Sequence, residues 1–157
     1  VRRRTPVAAE EAWLRGLLSP AEDDLYVAQS AADRVHSIDC ALAAREALGV
    51  KASRAVIVAS ALHDVGKTDA GLGTLGRVAA TVVTALVPAP RVLGWRDRPG
   101  RRGRIGRYAA HDRHGCALLQ AAGSHPIVVA WAREHHLDRD EWTIDAEVAD
   151  VLWRADR

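Results

Sequence analysis

The sequence predicts an all-α fold, a compact helical bundle of about six to seven helices with an Arg/Gly/Pro-rich excursion at about 88–106. Three observations carry this. Apolar residues recur at helical spacing in nearly every segment. No stretch alternates apolar and polar residues as a half-buried strand does. Ser, Pro and Gly stand where helices begin and end.

A first short helix is expected over Val7–Leu18, ended at Ser19-Pro20. A longer one runs from about Ala21 to Leu48, with a break near Gln29-Ser30 and Gly49 as its C-terminal cap. Within it Ala31, Val35, Ile38 and Leu42 mark a buried stripe, and His36 lies beside that stripe with only Ala32 and Cys40 one turn away. Ser53–His63 is the most apolar helix and the expected centre of the bundle. Gly66 and Gly71-Leu72-Gly73 open a loop, and Thr74–Val87 reads as another helix. From Pro88 to Gly106 three Pro and four Gly interrupt a run of arginines, which predicts a mobile excursion that reaches over the active site. Helix resumes over Arg107–Ala122 and ends at Gly123; the next begins at Ser124-His125-Pro126, with Pro in the first turn, and runs to His136. The last extends from Thr143, read as its N-cap, to Asp156.

The 157 residues are expected to form one domain over 1–157. Apolar residues make up 48% and charged ones 27%, a balance that fits a globular chain and excludes disorder. With no Phe and no Met, Leu, Val, Ala and five Trp must fill the interior, and Trp95, Trp131 and Trp153 are candidates for an interface. The net charge of +2 hides an uneven distribution: Arg2, Arg3 and Arg4 open the chain, and 91–107 holds seven arginines against Asp97 alone. That block reads either as a solvated surface or as a place that meets phosphates. Cys40 and Cys116 are too few and too far apart for a disulfide framework or a thiolate zinc site, and reduced thiols in a cytoplasm are expected. No signal-peptide pattern is present at the start of the sequence. The run Val78–Leu86 is too short to span a bilayer, which leaves a peripheral contact as its one membrane option.

The chemistry gathers at Ser60-Ala61-Leu62-His63-Asp64-Val65-Gly66-Lys67, where an imidazole and a carboxylate close a strongly apolar helix. An unpaired charge at the edge of a core is costly, and a metal ion would remove that cost. Imidazoles and carboxylates together suit a first-row divalent metal such as Mn, Fe, Co, Ni or Zn. Further candidate ligands are His36, His111 or its neighbour His114, His135 and His136, and Asp156 or Asp150. His135 and His136 would point about 100° apart on a helix, so one is expected to face the metal and the other to meet substrate or a supporting carboxylate. His125 reads as a helix-terminus residue. Lys67, three residues past Asp64, is a candidate for offsetting charge on an anionic substrate, and Arg77 or the arginines of the excursion are candidates for completing a phosphate pocket.

These residues in this order resemble the HD superfamily of metal-dependent phosphohydrolases. The likeness covers 36–156: Arg34-Val35-His36-Ser37 resembles the first metal His, Leu62-His63-Asp64-Val65-Gly66-Lys67 the central signature, and Ala155-Asp156 the closing Asp. His111, with Gly115 four residues on, and Arg133-Glu134-His135-His136 resemble the added ligands of the subfamilies that bind two metals. The segment 137–142 lacks the Gly-Tyr-Pro of the HD-GYP branch. The resemblance implies two divalent transition metals, with Asp64 shared between them and water activated for attack on phosphorus. It implies hydrolysis of a nucleotide or another small phosphate ester or anhydride, with no stable nucleic-acid partner and no membrane span. A di-iron oxygenase and a non-catalytic nucleotide-sensing module are the alternatives.

Overall fold

The computed structural model describes residues 7–157, so Arg2, Arg3 and Arg4 lie outside the described residues. Every regular element among these residues is helical. In chain order they are α1 (Ala8–Arg15), α2 (Pro20–Val27), α3 (Ala31–Leu48), α4 (Arg54–Leu62), α5 (Thr74–Leu86), α6 (Ala89–Leu93), α7 (Gly100–Ala109), α8 (His111–Ala121), α9 (Pro126–Glu134) and α10 (Ala146–Ala155). Short 3-10 turns occupy Gly49–Lys51, Val65–Ala70 and Arg139–Glu141. The all-α expectation holds, and ten α-helices replace the six to seven expected.

The starts of α2, α3, α4, α9 and α10 are written in side chains that accept orphan backbone N–H groups. Ser19 and Glu22 form a reciprocal capping box on α2, with Glu22 Oε2 accepting from Ser19 N at 2.8 Å. Ser30 caps α3, Ser53 caps α4, and His125 Nδ1 accepts from Ile127 N at the start of α9. The break foreseen near Gln29-Ser30 is therefore the α2–α3 boundary. Gly49 ends α3 at φ +52°, a backbone region closed to most side chains.

Four sequence expectations change. The buried face of α3 is Ser37, Ile38, Cys40, Ala41 and Ala44, whereas Ala31 is exposed and Val35 and Leu42 are half-buried. α10 starts two residues late because Asp145, not Thr143, caps it by accepting from Val148 N at 3.1 Å. The segment 88–106 contains α6 and most of α7, because Gly103 and Gly106 let α7 pack against the turn 95–98: a Cβ on Gly103 would lie 1.7 Å from the Arg98 carbonyl oxygen. Trp131 is fully buried and belongs to the core, not to an interface.

The core runs along α4, whose residues Val56 to Leu62 are all buried, and α3, α9 and α10 close around it. Leu14, Tyr26, Ile38, Leu62, Leu119, Trp131 and Leu152 are its largest buried apolar side chains. Glu22 enters this interior with its capping bonds and the Arg54 guanidinium at 2.8 Å, which satisfies its charge. A second layer of α5, α6 and α7 lies beside the turn 65–70. The apolar stripe of α5 points away from the protein: Leu75 is 86% and Leu86 78% exposed, with Val78 and Val82 between them. No helix among the described residues is long and apolar enough to cross a membrane. Cys40 and Cys116 are both free thiols.

Asp33 joins the two layers. Its carboxylate takes both terminal nitrogens of Arg77 from α5, one of them at 2.7 Å, and also accepts from Ser30 Oγ. Burial works against its charge, but the bonds from Arg77 and Ser30 outweigh it and hold the carboxyl below its ordinary range. Such a group stabilises the fold above the unfolded-state value near pH ~4, and the contribution disappears as pH falls through the lower folded-state value. Asp33→Asn is expected to cost about 1–3 kcal/mol at pH 7. Its deficit against the parent should shrink at pH 3, as read from urea denaturation at both pH values.

Candidate metal centre

Asp64 lies at the C-terminal end of α4, 6% exposed, and its two oxygens face two different sets of side chains. On the Oδ2 side stand His63 Nε2 at 3.6 Å and His36 Nε2 at 3.9 Å. Asp156 Oδ1 completes that set, 2.9 Å from His36 Nε2 and 3.1 Å from His63 Nε2. On the Oδ1 side stand His135 Nε2 at 3.5 Å and His111 Nε2 at 3.6 Å, with His136 Nε2 a further 3.1 Å from His111 Nε2. In each set the donor atoms all lie within 4.8 Å of one another. Lys67 forms an ion pair with Asp64 Oδ2.

Three of the imidazoles are oriented by main chain. His63 Nδ1 donates to Ser60 O at 2.8 Å, His111 Nδ1 to Tyr108 O at 2.7 Å, and His135 Nδ1 to Ala132 O at 3.1 Å. Each bond places the proton on Nδ1 and turns the Nε2 lone pair toward Asp64. The carbonyls come from the last turn of α4, the last turn of α7 and the last turn of α9. Helix ends thus supply the acceptors that hold these rings.

The chain closes these parts together at one point. The turn 65–70 packs against the start of α8 so tightly that a Cβ on Gly66 would lie 1.9 Å from the His111 carbonyl oxygen and 2.6 Å from Gly115 N. Gly115, one turn past His111, meets the Gly66 backbone in return. The glycine that follows the His-Asp doublet and the one four residues after His111 are the two halves of this contact.

The arrangement fits a metal. Asp64 Oδ1 and His135 Nε2 are buried with no hydrogen-bond partner, a costly state unless a cation joins them. Ligands bound at ~2.1 Å and ~90–110° apart lie ~3.0–3.4 Å from each other, close to the separations seen here. Charge agrees as well. Burial, and then His135 and His111, depress His136 to about 4, and burial likewise lowers His135, so both rings keep a free lone pair. Asp64 stays ionised despite its burial because His63, His111, His135 and Lys67 surround it. His36 departs from this pattern: Asp156 and Cys40 raise it to about 10, so a cation taken up there would release a proton.

Of the residues foreseen in the sequence, His36, His63, Asp64, His111, His135, His136 and Asp156 come together. His114 does not; it lies in a separate surface hollow with Arg113 and Arg107. Asp150 pairs instead with Arg139 at 2.8 Å and Arg154 at 3.6 Å. His135 and His136 both enter the site, with ring centroids 3.9 Å apart, because α9 stops at Glu134 and the two histidines lie past its last turn. Arg77 is committed to Asp33. Two supporting residues were not foreseen. Tyr108 stacks on His111 at 5.6 Å between ring centroids. Glu134, buried, accepts from Thr143 N at 2.8 Å and from Thr143 Oγ1 at 2.6 Å, which anchors the chain just before His135. The adjacency of Glu134 to the His pair was the available signal.

No family model, curated protein or solved structure matches this chain.

Elemental analysis of protein purified without chelator tests the two sets separately. His111→Ala is expected to lose one metal equivalent and keep the other, whereas Asp64→Ala loses both. Gly66→Ala should mimic His111→Ala in metal content while circular dichroism still reports a helical fold, because the added methyl pushes the start of α8 away.

Proposed function

We propose that this chain is a metal-dependent phosphohydrolase of the HD type, acting on a nucleotide or another small phosphate ester or anhydride. The observation that carries the reading is Asp64, a buried carboxylate whose two oxygens each face a separate His-rich ligand set. His36, His63 and Asp156 would hold one ion, His111, His135 and His136 the other, and Asp64 would bridge them. Ions of the Mn, Fe, Co, Ni or Zn type, when bound, supply an acidified water and neutralise phosphoryl charge.

The protein's own groups set the geometry for that chemistry. Asp64 keeps the two cation positions side by side, and the Nδ1 bonds to main chain keep the imidazoles from turning away. Lys67 lies between Asp64 and a neighbouring cavity, so its ammonium can meet a phosphoryl oxygen on which charge develops. His136, the most exposed ligand, stands on the rim where the substrate would arrive.

A phosphatase screen with Mn and with Fe tests the reading. Inorganic phosphate should be released from at least one small ester. The rate should fall by about 10- to 100-fold in Lys67→Ala with metal content unchanged, and to background in Asp64→Ala. Iron-loaded protein that consumes oxygen and releases no phosphate would point to the oxygenase alternative. Metal-free, folded protein that binds a nucleotide would point to the sensing module.

A further inference from the structure

We infer that the organic part of the substrate is a compact, weakly polar group held in the cavity beside the metal ligands, so that the substrate is a phosphate monoester of an apolar alcohol or phenol. This rests on the phosphohydrolase reading above and narrows it away from polyphosphates and nucleotides.

The cavity, about 420 Å³, opens between α5, α6, α7 and the start of α8, a volume within the range of small-molecule sites. Its polar end is the metal centre itself, through Lys67, His111 and His136. The remaining wall is apolar: Ala89, Val92, Leu93, Ala109 and the Tyr108 ring. Thr81 and Thr84 complete it, but their hydroxyls donate to main chain, Thr81 to Arg77 O at 3.0 Å and Thr84 to Thr81 O at 2.9 Å. Both hydroxyls are therefore spent as donors and keep only acceptor capacity for a ligand.

What the lining lacks decides the ligand. It contains no carboxylate, no side-chain amide and no arginine. Beyond the Tyr108 hydroxyl and the two threonine oxygens, ribose hydroxyls or the edge of a nucleobase would find few partners there, and a second phosphate would have only Lys67 to share. The nearby basic residues are turned elsewhere: Arg77 to Asp33, and Arg107 to Asp69 O at 3.3 Å and Arg96 O at 3.1 Å. A second cleft, about 480 Å³ and lined by Cys116, Gln120, Glu134 and Thr143, includes none of the seven candidate ligands. One phosphoryl group at the metal centre with an apolar body behind it satisfies every wall of the first cavity.

The test uses the Mn-loaded chain with 2-naphthol, 2-naphthyl phosphate, AMP and ADP, and the variants Leu93→Ala and Ala109→Trp. 2-Naphthol, followed by its fluorescence, should bind saturably. Its affinity should drop about fivefold in Leu93→Ala, which shaves the wall, and be lost in Ala109→Trp, which fills the space. kcat/KM for 2-naphthyl phosphate should exceed that for AMP and ADP by about tenfold or more. Leu93→Ala covers the case in which the larger substitution unfolds the chain, which circular dichroism would report. Equal or faster turnover of AMP or ADP overturns the inference while leaving the hydrolase reading in place. So does naphthol binding that neither variant changes. Naphthol binding that both variants weaken, with no ester hydrolysed, supports the apolar site and overturns the hydrolase reading instead.

Discussion

A carboxylate buried at the end of the most apolar helix is the constraint around which this protein is arranged. Asp64 follows seven consecutive buried residues of α4 and His63. Its charge cannot be left alone at that depth. The chain answers with four imidazoles, a lysine and a second carboxylate drawn from α3, α8, α10, the turn 65–70 and the end of α9. Since those segments come from nearly the whole length of the described chain, meeting the demands of one side chain amounts to specifying the tertiary fold. The same surplus of nitrogen and oxygen donors gives the site its capacity for cations.

Two further devices make the convergence accurate. Gly66 and Gly115 bring the backbone of the turn 65–70 to within contact of α8, a distance that side chains would forbid, and this carries His111 to Asp64 Oδ1. The last turns of α4, α7 and α9 then present carbonyls to Nδ1 of His63, His111 and His135. Helix termination and ligand orientation are accomplished by the same atoms. Where the main chain does not provide this, as at His36, the ring is held by Asp156 and lies 3.5 Å from Cys40 Sγ.

The arginine-rich segment acquires a different meaning from its composition. Its glycines are packing positions of α7, and its arginines lie mainly outward or reach main-chain carbonyls, as Arg107 does. The contribution of the segment to the cavity is apolar: Ala89, Val92 and Leu93 form part of the wall beside the candidate ligands. Charge density along the sequence sets only the long-range field around the segment. The few side chains that line the cavity say what can settle there.

Much was legible in the sequence. The all-α class follows from helical spacing and from Ser and Gly at the boundaries, because capping and periodicity are local effects that a short window contains. The His-Asp doublet was legible too, since an imidazole and a carboxylate ending an apolar helix have a stated cost and few remedies. The rest of the candidate set was legible through its resemblance to a known ordered signature. The resemblance favoured His111 over His114 and Asp156 over Asp150, but that these two reach the cluster, and that both His135 and His136 enter it, needed tertiary structure. So did the α7 helix, whose glycines look like loop residues until the turn 95–98 is packed against them. In each case the deciding contact joins residues far apart in the chain, or depends on where a helix stops. The sequence by itself determined a helical protein with a buried His-Asp doublet whose charge needs partners. Only the tertiary structure decided which nitrogens reach Asp64, and that an apolar space lies beside them, because distances between distant segments are set by packing and not by local propensity.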